Sequence, residues 1–254
     1  MQGNLENSFP DKSKEDIQRL MKLFYHHFAD LIVESLRIFS ISEEEAKGRM
    51  KFTNPEILDK DFKNGRTVIL AGGHYNNWEL FAVAVDGALK HDTVALYKPL
   101  NNLFFDEKMR ASRGKYGLQM ISTRMTEKVF TEVKEKPSIV IFGTDQSPSR
   151  SGKGYWLKFL NQDTLVLFGT EKYAKEYNCP VYYGRLQKIK RGYYEFTFSL
   201  ITDNPNGCAY GEITETHSRM LEADILRQPE YWLWTHKRWK HKKGAEVSSN
   251  ELNF

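Results

Sequence analysis

A histidine and a glutamate lie between two apolar runs in the stretch VILAGGHYNNWELFAVAV, residues 68–85. The first run ends at a pair of glycines, which permit backbone conformations closed to other residues. Asn76 or Asn77 is a suitable N-cap for a helix that holds Glu79 in its first turn. Because residues five apart within one helix lie about 140° apart, His74 can face Glu79 only from the turn before that helix. The glycines and asparagines allow this geometry.

A carboxylate on one imidazole nitrogen fixes the tautomer and stabilises the cation, which leaves the other nitrogen as a general base. We therefore interpret His74 and Glu79 as a candidate dyad that removes a proton from an alcohol attacking an acyl carbonyl. The alternative interpretation is structural. In that case Glu79 only complements the helix dipole and His74 only fills the turn.

The sequence offers no pattern for other common catalytic centres. It contains no GxSxG turn for a serine nucleophile. The two cysteines, Cys179 and Cys208, fit no metal spacing and no disulfide framework, which indicates a reducing compartment.

The composition is that of a globular protein, with 40% apolar and 13% aromatic residues in a chain of 254. This length is sufficient to bury a sizeable core. The net charge of +4 favours an anionic partner only weakly. Basic residues are concentrated beside tryptophans in YWLWTHKRWKHKKG, residues 231–244. This pattern suits an anionic membrane surface or nucleic acid, and it is equally typical of a solvated basic tail.

The elements that must position the dyad follow from the apolar periodicity. Ser13 can cap a long amphipathic helix whose stripe serves as a core face or a membrane-lying face. That stripe consists of Ile17, Leu20, Met21, Phe24, Phe28, Leu31, Ile32 and Leu36. A second, charged helix follows Ser42. No window approaches the ~20 uncharged apolar residues of a membrane span, and no signal-peptide pattern occurs.

From residue 67 onward, short β-rich runs alternate with helical ones, which predicts an α/β fold with a mostly parallel central sheet flanked by helices. The predicted strands are TVILAG, TVALYKP, QMIS, PSIVIFGTDQ and two in PVYYGRLQKIKRGYYEFTFSL that an RG turn joins as an antiparallel pair. One predicted helix begins near Trp78. The others cover NNLFFDEKMRASRGKYG, MTEKVFTEVKEK, residues 170–177 and TETHSRMLEADILRQP. An N-terminal helical segment precedes this core.

Five blocks occur in order along the chain: GGHYNNWEL, YKPLNNLFFDEKMRASRGKYG, FGTDQSPS, GTEKYAKEYNCPVYYG and QPEYWLWTHKRWK. His, four residues, then Glu or Asp is the signature of the glycerolipid acyltransferase superfamily. Together the five blocks resemble the bacterial late acyltransferases of lipid A biosynthesis, over about residues 7–240.

The resemblance implies one acyltransferase domain over residues 1–254, with a helical segment (1–60), an α/β catalytic core (65–240) and a basic, polar tail (241–254). It implies transfer of a fatty acyl chain from a thioester of acyl carrier protein or coenzyme A to a hydroxyl of an anionic glycolipid, a lipid A precursor or a relative. The expected location is the cytoplasmic face of the bacterial inner membrane. Family members carry a hydrophobic segment before the NSFP-like region. Since this chain shows none, we expect peripheral attachment through the amphipathic helix and the basic C-terminal region.

The resemblance also implies roles for individual residues. His74 is the general base, Glu79 its orienting partner, and Arg113 the active-site arginine that stabilises the thioester oxyanion or holds an acceptor phosphate. Arg110 is the nearby rival, and a solvated basic helix face is the alternative for both arginines.

Asp145 and Gln146 match the Asp-Gln block of the family and would support the site or hydrogen-bond the sugar, although Asp before Ser-Pro also favours a turn. Trp234, His236, Arg238 and Trp239 match the C-terminal block, which we interpret as structural or interfacial. Metal and redox cofactors are not expected, because an acyl thioester is already activated.

The acyl chain requires an apolar groove. Trp78, Phe81, Phe104 and Phe105 are candidates for its wall, although aromatic clusters more often form core. Two other functions remain open at this point: thioester hydrolysis, and binding of lipid or acyl carrier without turnover. A nucleic-acid partner is not expected, since the basic residues form no recognised groove-reading motif.

Overall fold

The structure is a computed structural model that describes residues 1–149 and 154–243. The described strands are β1 (Met50–Phe52), β2 (Val68–Gly72), β3 (Asp92–Tyr97), β4 (Gln119–Ser122), β5 (Ser138–Gly143), β6 (Gly154–Phe159), β7 (Gln162–Leu167), β8 (Val181–Lys190) and β9 (Tyr193–Thr202). The described α-helices are α1 (Gln2–Ser8), α2 (Lys14–Arg37), α3 (Glu43–Arg49), α4 (Asp59–Lys63), α5 (Trp78–Ala84), α6 (Leu103–Arg113), α7 (Thr126–Thr131), α8 (Gly169–Glu176) and α9 (Glu212–Arg227). Most of the expected basic tail, from residue 244 onward, lies outside the described residues.

Seven strands form one sheet in the order β1-β9-β8-β2-β5-β3-β4. Strands β8, β2, β5, β3 and β4 run parallel to one another, while β9 pairs antiparallel with β8 and parallel with β1. The prediction of a mostly parallel sheet with a late antiparallel pair is therefore confirmed. The sequence did not indicate β1, which lies in the segment expected to be helical.

Both faces of the sheet are covered. Strand β2 is apolar at every position, and because alternate residues point to opposite sides, each face needs a covering layer. Val68 and Leu70 belong to a core cluster that includes residues of α3, α5 and β9. Ile69, between them, packs with Ala174 of α8 and Ile213 of α9. The β2 strand is thus a central buried strand, as its continuous apolar run suggests.

The N-terminal amphipathic helix is α2, and Ser13 caps it by accepting a hydrogen bond from the backbone N–H of Asp16 at 3.1 Å. Its predicted stripe is divided by burial. Ile17, Leu20, Phe24 and Leu31 are buried, whereas Ile32 and Leu36 are exposed. The first part of the stripe is therefore a core face and the last part is not. No helix in the described ranges has both the length and the apolar content needed to cross a membrane.

The sequence analysis did not anticipate the hairpin of β6 and β7. Its two-residue turn, Leu160 and Asn161, has positive φ at both positions, 49° and 64°. Turns of this kind normally use Asn-Gly or Asp-Gly, so the pair Leu-Asn carries little turn signal. The hairpin matters for the site because it packs beneath the C-terminal tryptophans. Phe159 of β6 contacts Trp232 with ring centroids 5.8 Å apart.

The main core cluster generates a stability prediction. Phe198 is fully buried and packs against the rings of Phe52 and Phe196 at centroid distances of 6.2 and 5.0 Å. We expect Phe198→Ala to lower the free energy of unfolding by about 3–5 kcal/mol, because it removes apolar contacts and leaves a cavity. Phe39→Ala, at a 46% exposed position, is the matched control and should change it by less than about 1 kcal/mol. Urea unfolding monitored by circular dichroism measures both, and equal losses would contradict the assignment of this core.

Candidate active site

The loop between β2 and α5 carries His74, and a shortage of space rather than an unusual φ explains the glycine before it. A Cβ on Gly73 would lie 2.8 Å from a side-chain carbon of Leu221 and 3.3 Å from the carboxyl carbon of Asp145. The residue with left-handed backbone is instead Asn76, with φ of 56°. The glycine at 73 therefore lets the loop pass close to α9 and to the end of β5.

The end of this loop is fixed by the predicted cap. Asn77 accepts a hydrogen bond from the backbone N–H of Leu80 at 2.8 Å, which places Glu79 in the first turn of α5. The Asn77 amide also donates to Glu34 of α2 at 2.5 Å, and Glu34 accepts a second hydrogen bond from the Tyr194 hydroxyl at 2.8 Å. Helix α2 thus helps to hold the turn that presents His74.

The carboxylate that orients His74 belongs to Asp145 at the end of β5. Its Oδ1 lies 2.7 Å from His74 Nδ1, and its Oδ2 accepts from the His74 backbone N–H at 2.8 Å. Since β2 and β5 are parallel neighbours in the sheet, their carboxyl ends bring these two residues together. Glu79, which was predicted to orient the imidazole, does not make this contact, and its carboxylate bonds to Arg113 instead. Asp145, expected to support the site or bind sugar, is the carboxylate that contacts the ring.

The electrostatics of the pair define the form of the imidazole. Burial lowers the pKa of His74, but the Asp145 carboxylate outweighs that effect, so the pKa lies above its ordinary value of 6.5. Burial raises the pKa of Asp145, but the charge and hydrogen bonds of His74 and the indole of Trp232 outweigh it and hold the pKa at about 2. An ionised Asp145 accepts the proton on Nδ1, which makes Nε2 the basic nitrogen of the neutral ring.

Gln146 lies beside that second nitrogen, with its Nε2 3.3 Å from His74 Nε2. Because an amide nitrogen can only donate, this contact is compatible with an unprotonated His74 Nε2. The imidazole side chain retains 25% of its surface exposed, whereas that of Asp145 retains 3%. The imidazole is therefore the partly exposed member of the pair, and the carboxylate is the buried one.

Glu79 forms a separate ion pair with Arg113 of α6. The arginine donates from Nε to Oε2 at 2.7 Å and from Nη2 to Oε1 at 2.5 Å, a two-bond geometry that joins α5 to α6. Burial lowers the pKa of the Arg113 guanidinium, but the Glu79 carboxylate outweighs it and raises the pKa above its ordinary value. The Trp78 indole also donates to Glu79 at 3.1 Å, and its ring meets the His74 ring edge-on with centroids 5.2 Å apart.

Arg110 differs from Arg113 in its surroundings. It pairs with Asp106 one turn away on the same helix, at 3.1 Å, and its side chain is 48% exposed. Of the two arginines, Arg113 is the one held next to the residues around His74. Phe81, one of the candidates for the acyl groove, is buried in the main core, whereas Phe104 and Phe105 are exposed.

Trp232 is the residue of this site that the sequence analysis missed. Its indole donates to Asp145 Oδ2 at 2.9 Å, and the segment around it bonds to the His74 loop through Tyr231 O and Asn76 N at 2.9 Å. The signal was available, because Trp232 lies in the YWLW block that was interpreted as structural. An indole N–H seldom remains unpaired when buried, which makes a buried tryptophan near a carboxylate a candidate donor.

Two other members of the C-terminal block, Trp239 and Arg238, bond to strand β7 of the hairpin, and His236 bonds to the segment after β5. Trp239 donates to Thr164 at 2.7 Å and Arg238 to the backbone carbonyl of Leu165 at 2.8 Å. His236 accepts from the backbone N–H of Ser147 at 3.1 Å. Burial lowers the pKa of His236, so the ring is neutral near pH 7.

Comparison with known proteins decides the family. A family model described as bacterial lipid A biosynthesis acyltransferase matches residues 1–241. The chain belongs to this family. It is therefore an acyltransferase. It is 22% identical over 247 residues to the lipid A biosynthesis palmitoleoyltransferase of Escherichia coli (strain K12), with 96% of this chain and 79% of the relative covered. The lipid A biosynthesis acyltransferase of Shigella flexneri is similar to the same extent, 22% over 247 residues, with the same coverage of 96% and 79%.

Membership of the family leaves the roles of His74, Glu79, Arg113, Arg110, Asp145 and Gln146 as predictions. The described residues 1–149 and 154–243 hold no cluster of three metal-ligating side chains. The expectation that this protein works without a cofactor also stays a prediction.

The two carboxylates can be separated by the titration of His74. Because Asp145 contacts the imidazole directly, Asp145→Asn should lower the pKa of His74 more than Glu79→Gln does. Two-dimensional NMR spectra of protein with isotope-labelled histidine rings, recorded over a range of pH, measure the pKa of His74 in both variants. A larger shift in Glu79→Gln would restore Glu79 as the partner of His74.

The two arginines generate a second prediction. Arg113→Ala leaves a largely buried Glu79 carboxylate unpaired and should destabilise the fold by about 3 kcal/mol. Arg110→Ala, at an exposed ion pair, is the matched control and should cost less than about 1 kcal/mol. Urea unfolding at neutral pH compares them. Equal small losses would show that the Glu79–Arg113 pair does not hold α5 against α6.

Proposed function

We propose that the protein transfers a fatty acyl chain from an acyl thioester to a hydroxyl of a lipid A precursor or a related anionic glycolipid, with His74 as the general base. The observation that supports this most directly is the Asp145–His74 pair, in which one imidazole nitrogen is bonded to a buried carboxylate and a quarter of the imidazole side chain is exposed. This arrangement suits proton removal from an alcohol.

In the proposed reaction, His74 Nε2 takes the proton of the acceptor hydroxyl as its oxygen forms a bond to the thioester carbonyl carbon. Asp145 stabilises the imidazolium that results. The tetrahedral intermediate then collapses with cleavage of the carbon–sulfur bond, and the imidazolium returns its proton to the departing thiolate. The products are an ester and a free thiol, so the cycle consumes no cofactor and leaves His74 neutral.

The intermediate carries a negative oxygen that requires a positive or donating group. Arg113 is proposed for this role, because its pair with Glu79 uses Nε and Nη2 and leaves Nη1 outside the pair. Gln146, beside His74 Nε2, is proposed to hydrogen-bond the acceptor near its reacting hydroxyl. Arg110, exposed one turn before Arg113, is proposed to bind an acceptor phosphate.

The proposed donor is an acyl thioester of acyl carrier protein or coenzyme A, and the proposed location is the cytoplasmic face of the bacterial inner membrane, with peripheral attachment. The similarity to acyltransferases of lipid A biosynthesis supports the lipid acceptor. Exposed apolar side chains outside the core, both at the end of α2 and in residues 100–105, support attachment to a lipid surface.

Removal of the base tests the proposal. We expect His74→Ala to keep its fold and to lose about 10²–10⁴-fold in the rate of acyl transfer from labelled acyl carrier protein to a lipid A precursor. His26→Ala, at an exposed position of α2, is the matched control and should keep the wild-type rate. Product analysis by mass spectrometry measures the transferred chain, and circular dichroism checks the fold.

The same assay distinguishes the other candidate functions. Free fatty acid formed equally with and without the glycolipid would identify a thioester hydrolase. Binding of lipid or acyl carrier without any product, unchanged in His74→Ala, would identify a binding protein. Wild-type transfer by His74→Ala would end the assignment of the base.

The pH profile gives an independent check. Because the base must be neutral and its pKa is raised, kcat/KM should fall as the pH is lowered through the pKa of His74. In Asp145→Asn this acidic limb, the fall of kcat/KM at low pH, should move to lower pH, and the maximum rate should be lower. An unchanged limb in that variant would contradict the proposed role of Asp145.

A further inference from the structure

The segment after β3, residues 100–105, ends in the first turn of α6 and exposes four large apolar side chains. The exposed fractions range from 48% for Leu100 to 80% for Leu103, with Phe104 and Phe105 between these values. Single exposed apolar residues are common on soluble proteins, but a contiguous group marks an interaction site. Residues 100–105 are called the apolar loop below.

The exposure is built into the loop by its polar residues. Asp106 accepts hydrogen bonds from the backbone N–H of Leu100 at 2.8 Å and from the Tyr97 hydroxyl at 3.1 Å. Asn102 caps α6 by accepting from the backbone N–H groups of Phe104 and Phe105 at 3.1 and 3.2 Å. Three backbone N–H groups of this segment are therefore bonded to its own polar side chains or to Asp106, while its apolar side chains remain exposed.

The sheet places this loop beside the proposed site. Strands β2, β5 and β3 are adjacent and parallel, so their carboxyl ends lie at one edge. His74 follows β2, Asp145 follows β5, and the apolar loop follows β3. Neighbouring strands are about 4.8 Å apart, so the loop begins about two strand spacings from the His74 strand. At the other end of α6, Arg113 bonds to Glu79 beside the site.

The charges around the loop favour an anionic lipid surface as its partner. Its exposed charged neighbours are Lys98 just before it, one carboxylate, Glu107, and Lys108, whose Nζ lies 5.5 Å from the ring centroid of Phe104. Aromatic rings flanked by lysines suit a bilayer interface, where the rings enter the headgroup region and the lysines meet anionic groups. The acceptor of the proposed function is itself an amphiphile, so the site must reach such a surface.

We propose that the apolar loop inserts into an anionic membrane surface and sets the His74 edge of the sheet against the lipid. This inference rests on the proposed function for the nature of the acceptor, but it concerns where the protein binds the bilayer. It assigns that contact to the β3–α6 loop rather than to the amphipathic α2 helix or the basic C-terminal region.

Vesicle binding of two matched triple variants tests the proposal. The loop variant Leu103→Ser, Phe104→Ser and Phe105→Ser removes exposed side chains only. The control variant Ile32→Ser, Val33→Ser and Leu36→Ser removes three exposed apolar side chains from α2. Sedimentation of the full chain with phosphatidylethanolamine–phosphatidylglycerol vesicles measures the partition of each. Circular dichroism and thermal unfolding check that both variants keep the wild-type fold.

The loop variant should lose more than about tenfold in vesicle affinity, because two aromatic rings and a leucine no longer enter the lipid, and the α2 variant less than about threefold. Wild-type affinity in the loop variant would overturn the proposal. So would a larger loss in the α2 variant, or a wild-type protein that binds no vesicles. A loop variant that only loses self-association in sedimentation equilibrium would instead identify a second copy as the partner.

The result is independent of the chemistry. His74→Ala should bind vesicles as the wild type does. If the wild-type protein transfers no acyl chain, the proposed function is overturned, but the vesicle comparison still tests the membrane contact of the apolar loop.

Discussion

The carboxylate of Asp145 joins three parts of the chain that are far apart in sequence. It accepts hydrogen bonds from the backbone and ring of His74 and from the indole of Trp232, so that the end of β2, the end of β5 and the C-terminal segment meet at one buried group. A buried charge without such partners would cost several kcal/mol. These donors keep Asp145 ionised, and the ionised carboxylate in turn sets which nitrogen of the neutral His74 ring is basic. The orientation of the candidate base therefore depends on the packing of the whole sheet edge.

Two further contacts around this one support the loop that carries His74. The Glu79–Arg113 pair joins α5 to α6, and the Glu34–Asn77 contact joins α2 to the turn after His74. Each fixes the loop from a different side, which suits a site whose reacting atoms must be held within a small distance of each other. The same helix α6 begins at the apolar loop. One helix thus connects the proposed lipid contact to the residues beside the imidazole.

Much of the fold could be predicted because its signals are local. The apolar run of β2, the cap at Ser13 and the RG turn between β8 and β9 each depend on neighbouring residues. The β6–β7 hairpin could not be predicted because its Leu160–Asn161 turn lacks the usual glycine. The contact of its Phe159 with Trp232 joins residues far apart in sequence, so no local pattern indicates it. The partial burial of the apolar stripe on α2 could not be predicted for a related reason. Helical periodicity shows which residues share a face but not where the rest of the protein stops covering it.

By itself the sequence determined the order of the elements from β2 to β5 and from α8 to α9, the position of His74 at a strand-to-helix turn, and the presence of Glu79 in the first turn of α5. It also supplied Asp145 and Gln146 as site residues. Only the tertiary structure decided which carboxylate meets the imidazole. Glu79 is near His74 in sequence, but Arg113 engages its oxygens, whereas Asp145 is brought to Nδ1 by the parallel pairing of β2 with β5. Proximity along a chain constrains backbone geometry over a few residues, while the approach of two strand ends is set by the register of the sheet.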